Sequence, residues 1–147
     1  MAKALNYIVF NRHETGIRNF ATEKELFELE ELEKHVHQFL SQVDRRSSLT
    51  FIITYNLLSV TSLKLLLEWI LSLRTLYSKT YQRVWFDTPV LRKPEWQSLQ
   101  LLPESYADRL EHLWAWMIRQ SETDATRFKG FKDYELARLD RDIAWMR

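Results

Sequence analysis

The sequence has 147 residues and is 46% hydrophobic and 14% aromatic, which suits one domain, residues 1–147, with a single core. Its 21 basic and 20 acidic side chains leave a formal charge of +1, so no long-range field gathers nucleic acid or an acidic membrane. The absence of cysteine excludes disulfides and thiolate metal sites within this chain, and no apolar run of about 18 residues is present to span a bilayer, so we expect a cytoplasmic protein.

The first third of the chain predicts a short strand and a long helix. The run 5–10 (LNYIVF) is rich in strand-forming residues and is bounded by polar ones. From Thr22 onward apolar residues recur at helical spacing, and Thr22 with Glu25 forms a capping-box pattern. We therefore predict a helix from about Glu23 to Gln42, followed by a polar loop over 44–48.

A strand, a helix and a second strand are predicted next. The run 49–55 (LTFIITY) is almost continuously apolar and β-branched, as in a strand that is covered on both faces. Ser59 or Ser62 can cap a helix that continues to roughly Tyr77, and 83–87 (RVWFD) predicts another strand. Because such a βαβ unit crosses over right-handed, its two strands should be parallel.

The last third predicts an irregular connection and two helices. The stretch 88–103 contains all three prolines, which bias the backbone away from helix. Pro103 suits the first turn of a third helix that ends near Gln120. The stretch 132–146 again carries apolar residues on one side, so a fourth helix is expected to close the chain.

Four segments resemble the C-terminal half of radical S-adenosylmethionine (SAM) proteins that end in a short twitch-like domain. They are FIITYNLLSVTSLKLLLEWI, RVWFDTPVLRKPEWQSLQLLP, YADRLEHLWAWM and FKGFKDYELARLDRDIAWM. The resemblance implies an α/β fold that is a partial (β/α) barrel of about three parallel strands and four helices. The family holds a [4Fe-4S] cluster with three cysteines, and this chain has none. SAM and the cluster are therefore implied only for a complete assembly, in which another chain supplies the cysteines.

Four residues are the candidates for binding SAM. Arg18 matches the position after the family's fourth strand, where a basic residue contacts the SAM carboxylate. Asn56 and Asp87 each end a predicted parallel strand, with Thr54 at the same edge, and α/β folds bind ligands at the carboxyl ends of strands. The other interpretation makes Arg18 a solvated loop residue and makes Asn56 and Asp87 turn formers. No catalytic residue and no metal ligand is predicted.

The tryptophans allow a second kind of binding surface. Trp85, Trp96, Trp114 and Trp116 lie close together in the sequence, and with Tyr106 they can form an aromatic wall for a flat ligand. The alternative is that these side chains pack in the core or at an interface.

The histidines and the known catalytic motifs give little support to an enzyme. His35 and His37 are two residues apart on a helix, whereas helical zinc ligands need a spacing of three or four. A cofactor-independent reaction with Asp87 or a histidine as general base lacks a second catalytic group. G-x-S-x-G, P-loop and H-E-x-x-H motifs are absent from the sequence.

Two functions remain open. In the first, the chain is a truncated or split radical SAM-type protein that is not catalytically competent alone and acts as a binding or complementing subunit. In the second, it is a free-standing interaction module that binds protein through its Leu and Trp faces and needs no cofactor. A half-barrel would expose a sheet edge, so we expect a protein partner or a second copy to cover it.

Overall fold

The computed structural model describes residues 9–10, 23–42, 48–54, 56–57, 59–89, 93–124 and 127–147, with the backbone alone at 9–10 and 23–29. Within these residues the chain forms four helices: α1 (Glu23–Gln42), α2 (Leu63–Tyr77), α3 (Glu104–Glu122) and α4 (Asp133–Met146). The strands are β1 (Val9–Phe10), β2 (Leu49–Thr54) and β3 (Val84–Asp87). Short 3₁₀ turns lie at Val60–Ser62, Glu95–Gln97 and Leu99–Leu101.

The helix predictions are confirmed. The bounds of α1 are those predicted, whereas α3 runs two residues past Gln120 and α4 begins one residue after Lys132. Ser62 precedes α2 as expected, but its hydroxyl makes no capping hydrogen bond. Among the described residues, none of the helices is both long and apolar enough to cross a bilayer.

The βαβ unit is also confirmed. β2 and β3 pair in parallel, with Leu49 opposite Val84 and Ile52 opposite Asp87, and α2 forms the crossover between them. The short β1 lies on the other side of β2, so that the strand order is β1-β2-β3.

The predicted partial (β/α) barrel with about three parallel strands is wrong. Only β2 and β3 are parallel in the described chain, because the two residues of β1 pair with β2 in the antiparallel direction. After β3 the described residues form 3₁₀ turns and two helices and no further strand. The protein is therefore mostly helical, with a small mixed sheet, and it does not have the half-barrel that the resemblance implied.

The outer edge of β3 explains why the sheet stops there. The Leu49 amide bonds to the Arg83 carbonyl at 2.7 Å, so the alternate carbonyls at 84, 86 and 88 point away from β2. Side chains bond to each of these carbonyls. Arg74 and Gln82 donate to the Val84 carbonyl, Tyr134 donates to that of Phe86, and Arg141 donates to that of Thr88. These side chains occupy the sites that a fourth strand would need.

The core lies on one face of the sheet, and α2 is at its centre. Leu66, Ile70 and Leu73 of α2 are completely buried, and they belong to the same core cluster as Phe51 of β2 and Leu110 of α3. This burial supplies the main stabilisation of the fold, since each fully buried aliphatic side chain contributes about 1.5–3 kcal/mol.

The opposite face of the sheet is partly open to solvent. Thr50 is exposed and Ile52 is 45% exposed, whereas Phe51 and Ile53 are buried. The prediction that this strand is covered on both faces is therefore wrong. The strand alternates between a core face and an outer face, although the apolar run in its sequence conceals the alternation.

Long polar side chains attach α1 and α4 to the rest of the fold. Arg83 is buried and donates from Nη1 to the Leu40 carbonyl near the end of α1, at 2.8 Å. His37 of α1 shares a hydrogen bond of 2.9 Å with the hydroxyl of Tyr77. On the other side of the core, Arg74 of α2 and Glu135 of α4 form a buried ion pair. The helix positions thus depend on specific hydrogen bonds as well as on apolar packing.

Candidate functional site

The structure brings two of the four predicted site residues to the same place. Asp87 lies opposite Ile52 in the parallel register, and Thr54 follows Ile52 by two residues on the same face of the sheet. Thr54 and Asp87 therefore share the outer face at the carboxyl ends of neighbouring strands. Arg18 lies outside the described residues.

Asn56 lies elsewhere, inside the turn that leads to α2. It is only 1% exposed, and its carbonyl accepts hydrogen bonds from the amides of Ser59 and Val60 at 3.0 and 2.9 Å. The Ser59 hydroxyl in turn accepts from the Asn56 amide at 2.9 Å. This is the geometry of a residue that builds a turn, which was the alternative interpretation of the sequence.

Asp87 already has partners within the chain. Its carboxylate is 3.1 Å from Nε of Arg138 on α4, and it accepts a hydrogen bond from the Thr88 amide at 2.9 Å. A contact between SAM and Asp87 would have to break or share these bonds, and a contact with Asn56 would have to open a buried turn. The role of Arg18, Thr54, Asn56 and Asp87 toward SAM stays a prediction.

The predicted aromatic wall is divided among separate places. Trp114 donates from Nε1 to the Leu136 carbonyl at 3.2 Å and so packs against α4. Trp85 stacks on Tyr134 with ring centroids 6.4 Å apart, and Trp96 is 61% exposed. Trp116 lines a groove on the other side of α3, and this groove also includes the predicted Tyr106.

This groove, which we call the basic groove, lies between the Val60–Ser62 turn with the start of α2 on one side and α3 on the other. Its volume is about 350 Å³. Its residues are Val60, Thr61, Lys64, Tyr106, Arg109, Leu110, His112, Leu113, Trp116 and Arg119. Val60, Leu110 and Leu113 are buried and form an apolar floor. The volume is at the lower end of the range for ligand pockets, so the groove can take a few side chains.

Basic side chains surround this apolar floor. Lys64, Arg109, His112 and Arg119 line the basic groove, and among the described residues no acidic side chain does. The Arg109 guanidinium lies 4.9 Å from the ring centroid of Tyr106, and the Lys64 ammonium lies 5.7 Å from that of Trp116. Contacts of this kind hold a cation over an aromatic ring. Lys64 also lies 3.5 Å from the carboxylate of Glu68 on α2, so an anionic ligand would share this cation with Glu68.

The proton on His112 can be placed from its hydrogen bond. Nδ1 is 2.7 Å from the backbone carbonyl of Asp108, and a carbonyl oxygen only accepts, so Nδ1 carries a proton. His112 is exposed, and Nε2 is the ring nitrogen left for a ligand.

The basic groove was not predicted from the sequence, because the prediction of the third helix depended on its apolar side alone. The polar side carries its own pattern, in which Arg109, His112, Trp116 and Arg119 are spaced by three, four and three residues. Such spacing places them on one stripe of a helix. That stripe was visible in the sequence, but the opposite wall, which includes Val60 and Lys64, was not.

Other classes of site find little support in the described residues. In that part of the chain no group of three or more His, Cys, Asp or Glu side chains is arranged to hold a metal ion. The sequence matches no protein-family model, and no curated protein or solved structure matches it either. The basic groove is therefore the feature of the described residues that bears on function.

Proposed function

We propose that this protein is an interaction module that binds an acidic, amphipathic segment of a partner protein in the basic groove. The observation that supports this proposal is an apolar floor surrounded by three cationic side chains and His112, with no acidic side chain among the described groove residues. A segment with both apolar and acidic side chains complements both features. This proposal develops the second of the two functions left open by the sequence.

The two parts of the groove have different physical roles. Apolar side chains of the partner would cover the apolar area that the groove still exposes, such as the half-buried rings of Tyr106 and Trp116, and this contributes about 25 cal/mol per Å² of buried apolar area. Carboxylates would pair with Arg109 and Arg119, which are exposed, so each pair adds only about 0.2–1 kcal/mol. The apolar part of the groove therefore contributes affinity for any amphipathic segment, and the cations favour acidic partners over basic ones.

The split radical SAM function stays a prediction. Its proposed mode of assembly needed a half-barrel with an open edge, whereas along β3 the outward carbonyls at 84, 86 and 88 already accept hydrogen bonds from side chains. Co-expression with a cysteine-bearing chain, followed by iron analysis of the purified complex, tests that function separately.

Titration calorimetry with synthetic peptides tests the proposed function. We expect an amphipathic peptide rich in Leu and Glu to bind, and the same peptide with Lys in place of Glu to bind at least about 10-fold more weakly. The double variant Arg109→Gln/Arg119→Gln should weaken binding of the acidic peptide about 10-fold. The matched variant Lys79→Gln/Lys93→Gln loses the same charge at exposed positions outside the groove and should bind normally.

Three results would contradict the proposal. The first is equal affinity for the acidic and the basic peptide, and the second is equal weakening by the groove variant and its matched control. The third is a stable dimer of the isolated chain that dissociates on Arg109→Gln/Arg119→Gln, because the occupant of the groove would then be a second copy. Light scattering on the purified chain distinguishes this last case.

A further inference from the structure

We infer that the partner segment binds in the basic groove as an α-helix of about three turns, with two carboxylates about three turns apart on its apolar face. This inference rests on the proposed function and adds the conformation and the residue spacing of the ligand. It follows from what the groove walls offer to a peptide backbone and from the positions of the cations along α3.

The walls of the basic groove favour a ligand that satisfies its own backbone hydrogen bonds. They consist of side chains from α3, from the start of α2 and from the Val60–Ser62 turn. The backbone N–H and C=O groups inside a helix are already bonded to each other, so these walls do not provide the row of partners that an extended peptide needs. A helical segment brings its backbone groups already paired and presents only side chains to the floor.

The positions of the cations set the length of the segment. Arg109 and Arg119 are ten residues apart on α3, which corresponds to about 15 Å along the helix axis. On a straight helical ligand, residues eleven positions apart lie on the same face and are about 16 Å apart. Such a pair of carboxylates can reach both arginines at once, whereas carboxylates one turn apart, at about 5–6 Å, can reach only one of them.

The middle of the groove defines the centre of the ligand. Leu113 and Trp116 lie between the two arginines on α3, and Lys64 faces Trp116 from α2. Apolar side chains four and seven positions after the first carboxylate would fall on this central part, because these positions share the helix face. A carboxylate on the α2 side of the centre would meet Lys64 and would share it with Glu68.

Three peptides of identical composition test the inference, and binding is measured by fluorescence anisotropy of a label on each peptide. The first has glutamates three turns apart on its leucine face, the second has both glutamates within one turn, and the third has the first spacing with a proline moved to its centre to break the helix. We expect the first to bind at least about 10-fold more tightly than the others and to gain helical circular dichroism when bound.

A charge exchange tests the spacing directly. Arg119→Glu should weaken binding of the first peptide, and replacing one of its glutamates with lysine should restore the affinity, whereas replacing the other glutamate should not. The matched variant Lys79→Glu should bind the first peptide normally, since Lys79 is exposed outside the groove. A structural defect caused by Arg119→Glu would not be restored by either exchange.

The possible failures are distinguishable. Equal affinity of the three acidic peptides, or equal restoration of the affinity by both lysine exchanges, would overturn the helical spacing and leave the proposed function in place. Absence of binding by all three peptides would overturn the proposed function as well.

Discussion

The guanidinium of Arg74 and the carboxylate of Glu135, 61 positions apart in the chain, form two parallel hydrogen bonds of 2.5 and 3.2 Å in the interior. Arg74 also donates to the carbonyls of Val84 and Gly130, and Glu135 also accepts from the Lys132 amide. Such additional bonds are what makes a buried ion pair tolerable, because burial removes the water that would otherwise solvate both charges. The pair therefore fixes α2, β3 and α4 relative to one another.

The first prediction concerns removal of one partner of this pair. Arg74→Met should lower the free energy of unfolding by about 3–5 kcal/mol, because Glu135 would keep its charge without its cation. The double variant Arg74→Met/Glu135→Leu should lose clearly less than the sum of the two single variants. Urea denaturation of the four proteins measures this difference.

A surface pair serves as the control for that experiment. Lys64 and Glu68 are 3.5 Å apart on the exposed side of α2, and Glu68→Gln should change the free energy of unfolding by no more than about 0.5 kcal/mol. If Arg74→Met costs as little as Glu68→Gln, the Arg74–Glu135 pair does not hold the three elements together.

The second prediction concerns Gly130, where two parts of the backbone approach closely. A Cβ atom at this position would lie 2.9 Å from Cα of Ser121 and 3.1 Å from the Gln120 carbonyl oxygen. Gly130→Ala should therefore destabilise the fold by about 1–3 kcal/mol through displacement of the end of α3. We expect the midpoint of urea denaturation to fall while its slope stays unchanged.

The neighbouring position provides a control for the glycine variant. The Lys129 amide, like that of Gly130, donates to a carboxylate oxygen of Asp124 at 2.7 Å. Because this bond comes from the backbone, Lys129→Ala keeps it and should leave stability nearly unchanged. A stable Gly130→Ala protein would show that the loop can move away from α3 without cost.

The third prediction concerns alkaline pH. Burial, together with the negative charge of Glu135, raises the pKa of the Tyr134 hydroxyl above its ordinary value. Above about pH 10 the unfolded chain loses this proton while the folded chain keeps it, so the free energy of unfolding should fall as the pH rises. In the Tyr134→Phe variant, the free energy of unfolding should fall less over this pH range than in the wild type.

Lys132 acts in the opposite direction and must be separated from Tyr134. Burial and the nearby charge of Arg74 lower the pKa of Lys132. Just below about pH 10.5, Lys132 therefore binds more protons in the unfolded chain than in the folded chain, and its contribution to the free energy of unfolding rises with pH. Because Lys132 is present in both proteins, its effect cancels in the difference between wild type and Tyr134→Phe. A constant difference across this pH range, measured by urea denaturation, would show that Tyr134 does not titrate differently in the two states.

The helices and the parallel pair were predictable because their signals are local. An apolar stripe at helical spacing must face a core wherever the helix lies, and a βαβ unit has one favoured hand. The direction of β1 was not predictable, because a short apolar run has no feature that distinguishes parallel from antiparallel pairing. The half-barrel prediction failed because β1 pairs with β2 in the antiparallel direction. It also failed because Arg74 and Tyr134 donate hydrogen bonds to the outer edge of β3, which a half-barrel would leave open.

The candidate site shows the same division. The sequence placed Thr54 and Asp87 at the ends of neighbouring strands, as the parallel register of β2 and β3 confirms. It did not show that Asp87 pairs with Arg138, because that contact joins a strand to the last helix. The polar stripe that includes Arg109 and Arg119 was readable from its spacing, but its meaning depended on the other wall of the groove.

The sequence by itself determined the helices, the crossover between the parallel strands and the near-neutral charge, because periodicity and composition are properties of the chain alone. Only the tertiary structure decided where the sheet ends and where the basic groove forms. Both features depend on side chains that meet across long separations, such as Arg74 with Glu135 and Lys64 with Trp116. A local sequence pattern does not predict such long-range contacts, since the packing of the whole core determines which distant surfaces come together.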